Sequence, residues 1–340
     1  MYEELWATLT EPEIWWIKYQ PFLASRGYQL RQRFQPGWVP SWTKPDSNFD
    51  PLEGNYSDFE DYHPLLRANV LDAIRISDGV KVVLRQSVCK MQTTTSVRLL
   101  DIVPLPDDDS IVLIVIPFLR SFKSPIFRHL REVTEAMGQY FRGLSFLHEH
   151  DVAHRDACAG NMLMDATNVI PGGYHFSYNS SEDGNYHHRI RWRDRCAVAP
   201  VQYYFIDFGL SSFFPEGEEA ARDVGIFGQD KTVPELSDTV PYNPFKVDIY
   251  QLGNVFVKLS KKHPAIWRFF CPLLESMTRS NPDERPSAAH VVVLFDQACA
   301  RIPPAVLTEK LTHICESPLY TDDSESDPEY ELVEDSKSEL

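Results

Sequence analysis

Val152-Ala153-His154-Arg155-Asp156-Ala157-Cys158-Ala159-Gly160-Asn161 is followed, after a long gap, by Tyr204-Phe205-Ile206-Asp207-Phe208-Gly209. Four fixed residues in the pattern H-R-D-x-x-x-x-N arise by chance about twice per thousand chains of this length, and a lone D-F-G in about one chain in twenty-five. Taken singly, Asp156 or Asp207 reads as a loop aspartate that caps its own backbone. The two in this order say more than either alone.

Working outward, Phe127 to His150 carries apolar residues at Val133, Ala136, Met137, Tyr140, Phe141, Leu144 and Leu147, the spacing of an amphipathic helix leading into the first motif. Beyond the second motif come Val233-Pro234-Glu235, then Asp248-Ile249-Tyr250-Gln251-Leu252-Gly253, then Asn281-Pro282-Asp283-Glu284-Arg285-Pro286. In content and order these landmarks resemble the eukaryotic protein kinase superfamily, over about residues 68 to 300. Trp38 to Trp42, Leu71 to Gly79 and Pro244 to Gly253 are similar to a divergent fungal-type branch of it.

The resemblance implies an α+β, bilobal protein kinase-like fold, with a small β-rich N-lobe and a mainly helical C-lobe. It divides the chain into an N-terminal extension and acidic loop (1–65), N-lobe and hinge (66–119), C-lobe (120–303) with an insertion at 166–202, and an acidic disordered tail (304–340). It also implies roles. Asp156 accepts the proton of a substrate hydroxyl, and Asn161 and Asp207 hold magnesium (Mg2+), a hard cation suited to oxygen ligands. Arg155 reaches the activation segment, Asp248 braces the backbone of the catalytic loop, and Arg285 pairs with Glu235. ATP would place its adenine between Val83 and Leu163, against the Pro117 carbonyl and the Leu119 amide.

The N-lobe departs from the pattern. Ile74 to Leu84 alternates around Ser77-Asp78-Gly79, a hairpin signal, and its second strand ends Val82-Val83-Leu84-Arg85. Arginine thus stands where the family carries lysine, and its planar fork is no substitute for a compact ammonium. No G-x-G-x-x-G precedes the hairpin. From Arg85 to Ile116 there are 31 positions without a glutamate, against about 45 to 50 in the family, so helix C is expected to be truncated or missing. Cys158 replaces a catalytic-loop lysine and reads as a small packed residue. Arg85 is expected either to clamp phosphate or to face solvent.

Two functions follow, with a third behind them. The first is a protein kinase that moves the ATP γ-phosphoryl to a protein hydroxyl. The second is a pseudokinase, a nucleotide-binding or scaffold module, on account of Arg85, Cys158 and the lost glycine loop and glutamate. A small-molecule kinase of the aminoglycoside type is disfavoured by Arg155, Glu235 and Asp248.

At 340 residues with 43% hydrophobic content, the chain fills one two-lobed domain and little else. Its formal charge of -16 argues against nucleic acid, where basic residues dominate binding. Residues 316–340 hold ten acids and one lysine, the signature of a disordered tail. The tail is expected to solubilise, or to contact a partner or the basic patch at His187 to Arg195, although a solvated loop is the simpler expectation for that patch. Six cysteines without paired metal spacing indicate reduced thiols. With no signal peptide or membrane-length apolar run, a cytoplasmic or nuclear protein that does not engage a membrane is expected. Glu216, Glu218 and Glu219 are expected to stand in for an activation-loop phosphate opposite Arg155.

Overall fold

Thr10 opens the first helix by donating its N–H to Glu13 Oε2 at 2.8 Å, and this capping box starts α1 (Glu11–Ser25). The computed structural model describes residues 6–45, 47, 49–50, 54–88, 97–311 and 331–332. After α1 come strands β1 (Tyr28–Leu30), β2 (Val70–Arg75), β3 (Lys81–Val88), β4 (Asp101–Pro104) and β5 (Ile111–Pro117). They form one antiparallel sheet in the order β1-β2-β3-β5-β4.

The β2–β3 hairpin turns where its sequence demands. Gly79 takes φ +71°, a left-handed conformation that a side chain resists, and its N–H donates to Arg75 O at 2.8 Å. Leu71, Val82, Leu84, Leu113 and Val115 point to one face and pack with Trp16 and Leu23 of α1 and with Phe34. Residues 11–34 therefore share a core with β2 to β5, which begin 36 residues or more further along the chain. Arg33 and Glu13 are buried together, with Nε to Oε1 at 2.7 Å, and Leu65 N–H and the Asp61 carbonyl complete the cluster. Such a pair is tolerable only because its remaining donors and acceptors are satisfied.

The expected loss of helix C falls on residues 89–96, outside the described residues. The described part of that connection, 97–100, is not helical and runs directly into β4.

Past the hinge, β6 (Arg120–Ser121) leads to α2 (Leu130–Glu149), in which the whole apolar stripe from Val133 to Leu147 is buried. Short strands β7 (Val152–Ala153), β8 (Met162–Met164), β9 (Arg191–Trp192), β10 (Tyr203–Phe205), β11 (Ser212–Phe213), β12 (Asp223–Gly225) and β13 (Ser237–Tyr242) surround it. Helices α3 (Pro244–Lys262), α4 (Pro264–Met277), α5 (Ala288–Cys299) and α6 (Pro304–Leu307) complete the lobe. Its core stacks Tyr140, Phe141, Phe205, Phe256, Phe270 and Phe295. The arrangement is α+β, an antiparallel sheet in the N-terminal part and helices in the C-terminal part, as the sequence predicts.

The segment 166–202 is solvated only in part: His187, His188, Arg189 and Arg191 of its basic patch are exposed. Ile190, Trp192 and Arg195 are buried, and burying an Ile-sized side chain stabilises by about 1.5–3 kcal/mol. The segment also reaches the N-lobe. Arg31 ties Ser177 Oγ (3.0 Å), Glu60 (2.9 Å) and Asp72 (2.8 Å) together. His63 Nε2 bonds the Gly184 carbonyl at 2.6 Å, and the His63 ring stacks on Tyr178. Tyr174 stacks on Phe118 of the hinge at 4.5 Å while its carbonyl accepts from Lys81 Nζ at 2.8 Å. The segment is thus a strap between the lobes. A two-residue strand, β14 (Glu331–Leu332), pairs in parallel with β9 on its edge.

Candidate active site

The loop that carries His154, Arg155 and Asp156 is held from below by α3. Asp248, fully buried, accepts from His154 N–H (2.7 Å) and Arg155 N–H (2.6 Å) with its two oxygens, and His148 Nε2 lies 3.0 Å away. Gln251, on the same helix face three residues on, accepts from Ala157 N–H at 2.9 Å. These contacts hold Arg155 at φ +66°, a left-handed conformation that costs a non-glycine residue about 1–3 kcal/mol and clusters at functional sites.

Asp156 projects from this braced loop. Asn161 Nδ2 donates to its Oδ2 at 2.9 Å and to its carbonyl at 3.0 Å, so carboxylate and amide form one rigid unit. His154 sits beneath, its Nδ1 accepting from Asp156 N–H and its Nε2 on the Ile206 carbonyl at 3.1 Å. Burial pushes the His154 pKa below its usual value, against the pull of Asp248 and Asp156. A neutral ring donating from Nε2 suits both contacts.

Strands β8 and β10 bring the second motif alongside. Phe205 pairs with Met162, and Ile206 N–H donates to Asn161 O at 2.9 Å, so Asp207 emerges next to Asn161. Asp207 is also left-handed, at φ +63°. Its Oδ1 carries the guanidinium of Arg85 in a direct ion pair across the lobes. Asp207 Oδ2 and Asn161 Oδ1 accept no hydrogen bond among the described residues. These are hard oxygens, and they fit magnesium.

The residues expected around adenine fall at the lobe junction. Val83 on β3 lies opposite Ile116, Pro117 ends β5 opposite Val82, Leu119 follows in the hinge, and Leu163 is on β8 opposite Tyr204. Val83 and Leu119 are buried, and Leu163 is half-buried. Arg85 faces Asp207 rather than solvent. Cys158 is buried and its thiol is pushed up to about 12, mainly by burial, so it is no nucleophile at neutral pH.

The activation segment corrects one expectation. Arg155 Nη2 pairs with Asp223 at 2.6 Å, not with Glu216, Glu218 or Glu219, while its Nη1 donates to Leu210 O and Ser212 Oγ. Glu218 instead faces Lys246 at 3.7 Å. Asp223 sits on β12, whose pairing with β13 fixes it opposite Arg155, and that pairing has no local sequence signature. Gln229 was also invisible in the sequence. Its N–H donates to Asp156 Oδ1 at 2.8 Å and its amide reaches Oδ2 at 3.3 Å. Gly228 permits this approach: at φ +77°, a Cβ there would lie 2.8 Å from the Arg155 carbonyl. The Glu235–Arg285 pair forms as a buried fork, at 2.6 and 2.8 Å.

No protein-family profile matches the chain, and no curated protein matches it in sequence. Among solved structures, the chain is 16% identical to one described as the crystal structure of Rad53 kinase domain and SCD2, covering 66% of this chain and 82% of that one, with a TM-score of 0.40. A second, described as Rad53 kinase domain and SCD2 in complex with AMPPNP, is 14% identical over 67% of this chain and 86% of that one, again with a TM-score of 0.40.

Proposed function

We propose that the chain is a protein kinase-like phosphotransferase of the eukaryotic protein kinase superfamily, moving the γ-phosphoryl of ATP to a hydroxyl of a protein substrate in the cytoplasm or nucleus. One observation carries this reading: Asp156 is bonded to Asn161 on a loop that α3 braces through Asp248, with Asp207 delivered beside it. A proton acceptor and one oxygen ligand on a rigid loop, with a second oxygen ligand set beside it from another segment, are what positioning-dominated phosphoryl transfer requires.

In this reading Asp156 accepts the substrate hydroxyl proton, and Asn161 and Asp207 hold magnesium. Magnesium, when bound, neutralises charge on the β- and γ-phosphates. Arg85 exchanges Asp207 for a phosphate oxygen as the nucleotide enters. Val83 and Leu163 enclose the adenine, with Pro117 O and Leu119 N–H at its edge.

A second reading, a pseudokinase acting as a nucleotide-binding or scaffold module, is favoured by a specific pair of contacts. Arg85 occupies Asp207, and Gln229 occupies Asp156, so both functional carboxylates are engaged by the chain's own groups. The deciding experiment incubates wild type and Asp156→Asn with ATP, magnesium and a generic protein acceptor. A phosphotransferase transfers phosphate and loses at least a hundredfold in the variant. Equal transfer, or none by either, leaves the scaffold reading.

A further inference from the structure

We propose that His129, Glu132 and Cys196 hold one divalent cation of the zinc class, which staples the strap to the start of α2. The site shares no residue with the loop of Asp156 or with Asp207, so it stands whether or not the chain transfers phosphate.

The three residues come from two places. His129 caps α2 and Glu132 lies three residues on, so the two are neighbours at the helix start. Cys196 arrives from the short turn Arg195–Ala197 of the strap. His129 Nδ1 or Nε2, a Glu132 carboxylate oxygen and Cys196 Sγ lie within 4.8 Å of one another. Zinc holds nitrogen, oxygen and sulfur at about 2.0–2.3 Å, which sets its ligands about 3.3–3.8 Å apart, so inward shifts of about 0.5–1 Å close the site.

Each donor has capacity left for an ion. Glu132 is buried, and its Oε2 does the capping, accepting from Arg128 N–H at 2.7 Å and His129 N–H at 3.4 Å. Its Oε1 accepts from Cys196 N–H at 3.2 Å and stands 3.6 Å from His129 Nδ1. That nitrogen is buried and makes no hydrogen bond among the described residues. The nearby Glu132 N–H is already given to the His129 carbonyl at 3.1 Å. A buried polar atom left in this way calls for a water or an ion, and a sulfur beside it favours the ion.

Charge and surroundings agree with this. Burial pushes the Cys196 thiol up to about 12, so the ion enters by displacing the thiol proton to solvent. Thiolate and carboxylate then cancel the divalent charge, and the positive end of the α2 dipole does not oppose it. The neighbours of Cys196 fix its place: the Arg195 guanidinium lies on the Phe127 ring at 4.0 Å, Asp194 pairs with Arg128 at 3.4 Å, and Arg128 covers Trp192 at 4.6 Å. A thiolate, an imidazole and a carboxylate select zinc over magnesium, which prefers oxygen alone. Three protein ligands leave the fourth position of a tetrahedral ion to water.

The test titrates cobalt(II), a spectroscopic substitute for zinc, into the full chain after chelator treatment and desalting, and reads the thiolate-to-cobalt charge-transfer band. Wild type, Cys196→Ser and His129→Ala are compared, with Cys299→Ser as a control for the other thiols and circular dichroism to confirm folding. The expected result is a band that saturates at one equivalent and is bleached by zinc but not by excess magnesium. It disappears in Cys196→Ser, is about tenfold or more weaker in affinity in His129→Ala, and is kept in Cys299→Ser. Zinc raises the melting temperature of wild type and not that of Cys196→Ser. No band in wild type, a band that survives Cys196→Ser, or an affinity unchanged by His129→Ala overturns the inference. Should Cys196→Ser fail to fold, alkylation of wild type with and without zinc, read at each cysteine by mass spectrometry, decides in its place: protection of Cys196 supports the site and equal labelling overturns it.

Discussion

Arg85 of β3 and Asp207 beyond β10 form a direct ion pair across the two lobes, guanidinium against carboxylate. Their side chains are 28% and 40% exposed, so water and salt reduce the pair to about 1 kcal/mol or less. It is therefore an exchangeable contact that an incoming nucleotide can take over. Arg85→Ala should weaken ATP binding in magnesium about tenfold, whereas Arg85→Lys should stay within about threefold. Titration of a fluorescent ATP analogue measures both. Tighter binding by Arg85→Ala would show that the guanidinium blocks the site.

Asp248 receives two backbone N–H groups and borders His148, all in the interior. Asp248→Ala leaves these groups without an acceptor, at a cost of about 3 kcal/mol or more in folding stability. Denaturant unfolding at neutral pH reads this directly. A loss under about 1 kcal/mol would contradict the bracing role.

Asp223 pairs with Arg155 and so ties the segment after Asp207 to the loop of Asp156. Asp223→Ala should raise hydrogen exchange across residues 210–227 at least tenfold. Glu218→Ala with Glu219→Ala should leave exchange around Arg155 unchanged, since neither acid reaches it. The opposite ranking would restore the glutamates as the phosphate surrogate.

The strap should loosen in acid. Burial opposes ionisation of Glu60, but His175 and Arg31 hold its carboxyl at about 2, below its ordinary 4.5. Its contribution is therefore complete above 4.5 and is lost as pH falls toward 2. Burial lowers the His63 pKa below 6.5, so that contribution too is complete above 6.5 and fades as pH drops. Both act in one direction. Proteolysis within 174–186, followed from pH 7 to pH 2 with an acid-active protease below pH 5, should accelerate while cleavage elsewhere stays slower. A flat profile would remove Glu60 and His63 from the account.

What period, turn chemistry and capping made legible was local, while the pairings of Asp248 and of Glu235 with Arg285 were legible only through the order of the motifs. The α2 stripe, the Ser77-Asp78-Gly79 hairpin and the Thr10–Glu13 box each announce themselves within a few residues, by period, turn chemistry or capping. What was not legible joins distant residues. Tyr28 pairs with Arg75, Arg31 reaches Ser177, and Gln229 reaches Asp156, and nothing in spacing or composition records such meetings. The strap shows why polarity misleads. Polar contacts such as His188–Asp183 and Arg31–Ser177 surround a few buried anchors, Tyr174, Ile190 and Trp192, that a window average dilutes.

The proposed phosphotransferase requires Asp207 and its neighbours to form a magnesium-dependent nucleotide site. Calorimetric titration of ATP into wild type and Asp207→Ala, with and without magnesium, tests it most directly. The account predicts binding by wild type that tightens at least tenfold with magnesium, and a variant that has lost that gain. ATP binding indifferent to magnesium and to Asp207, or no binding at all, would contradict it.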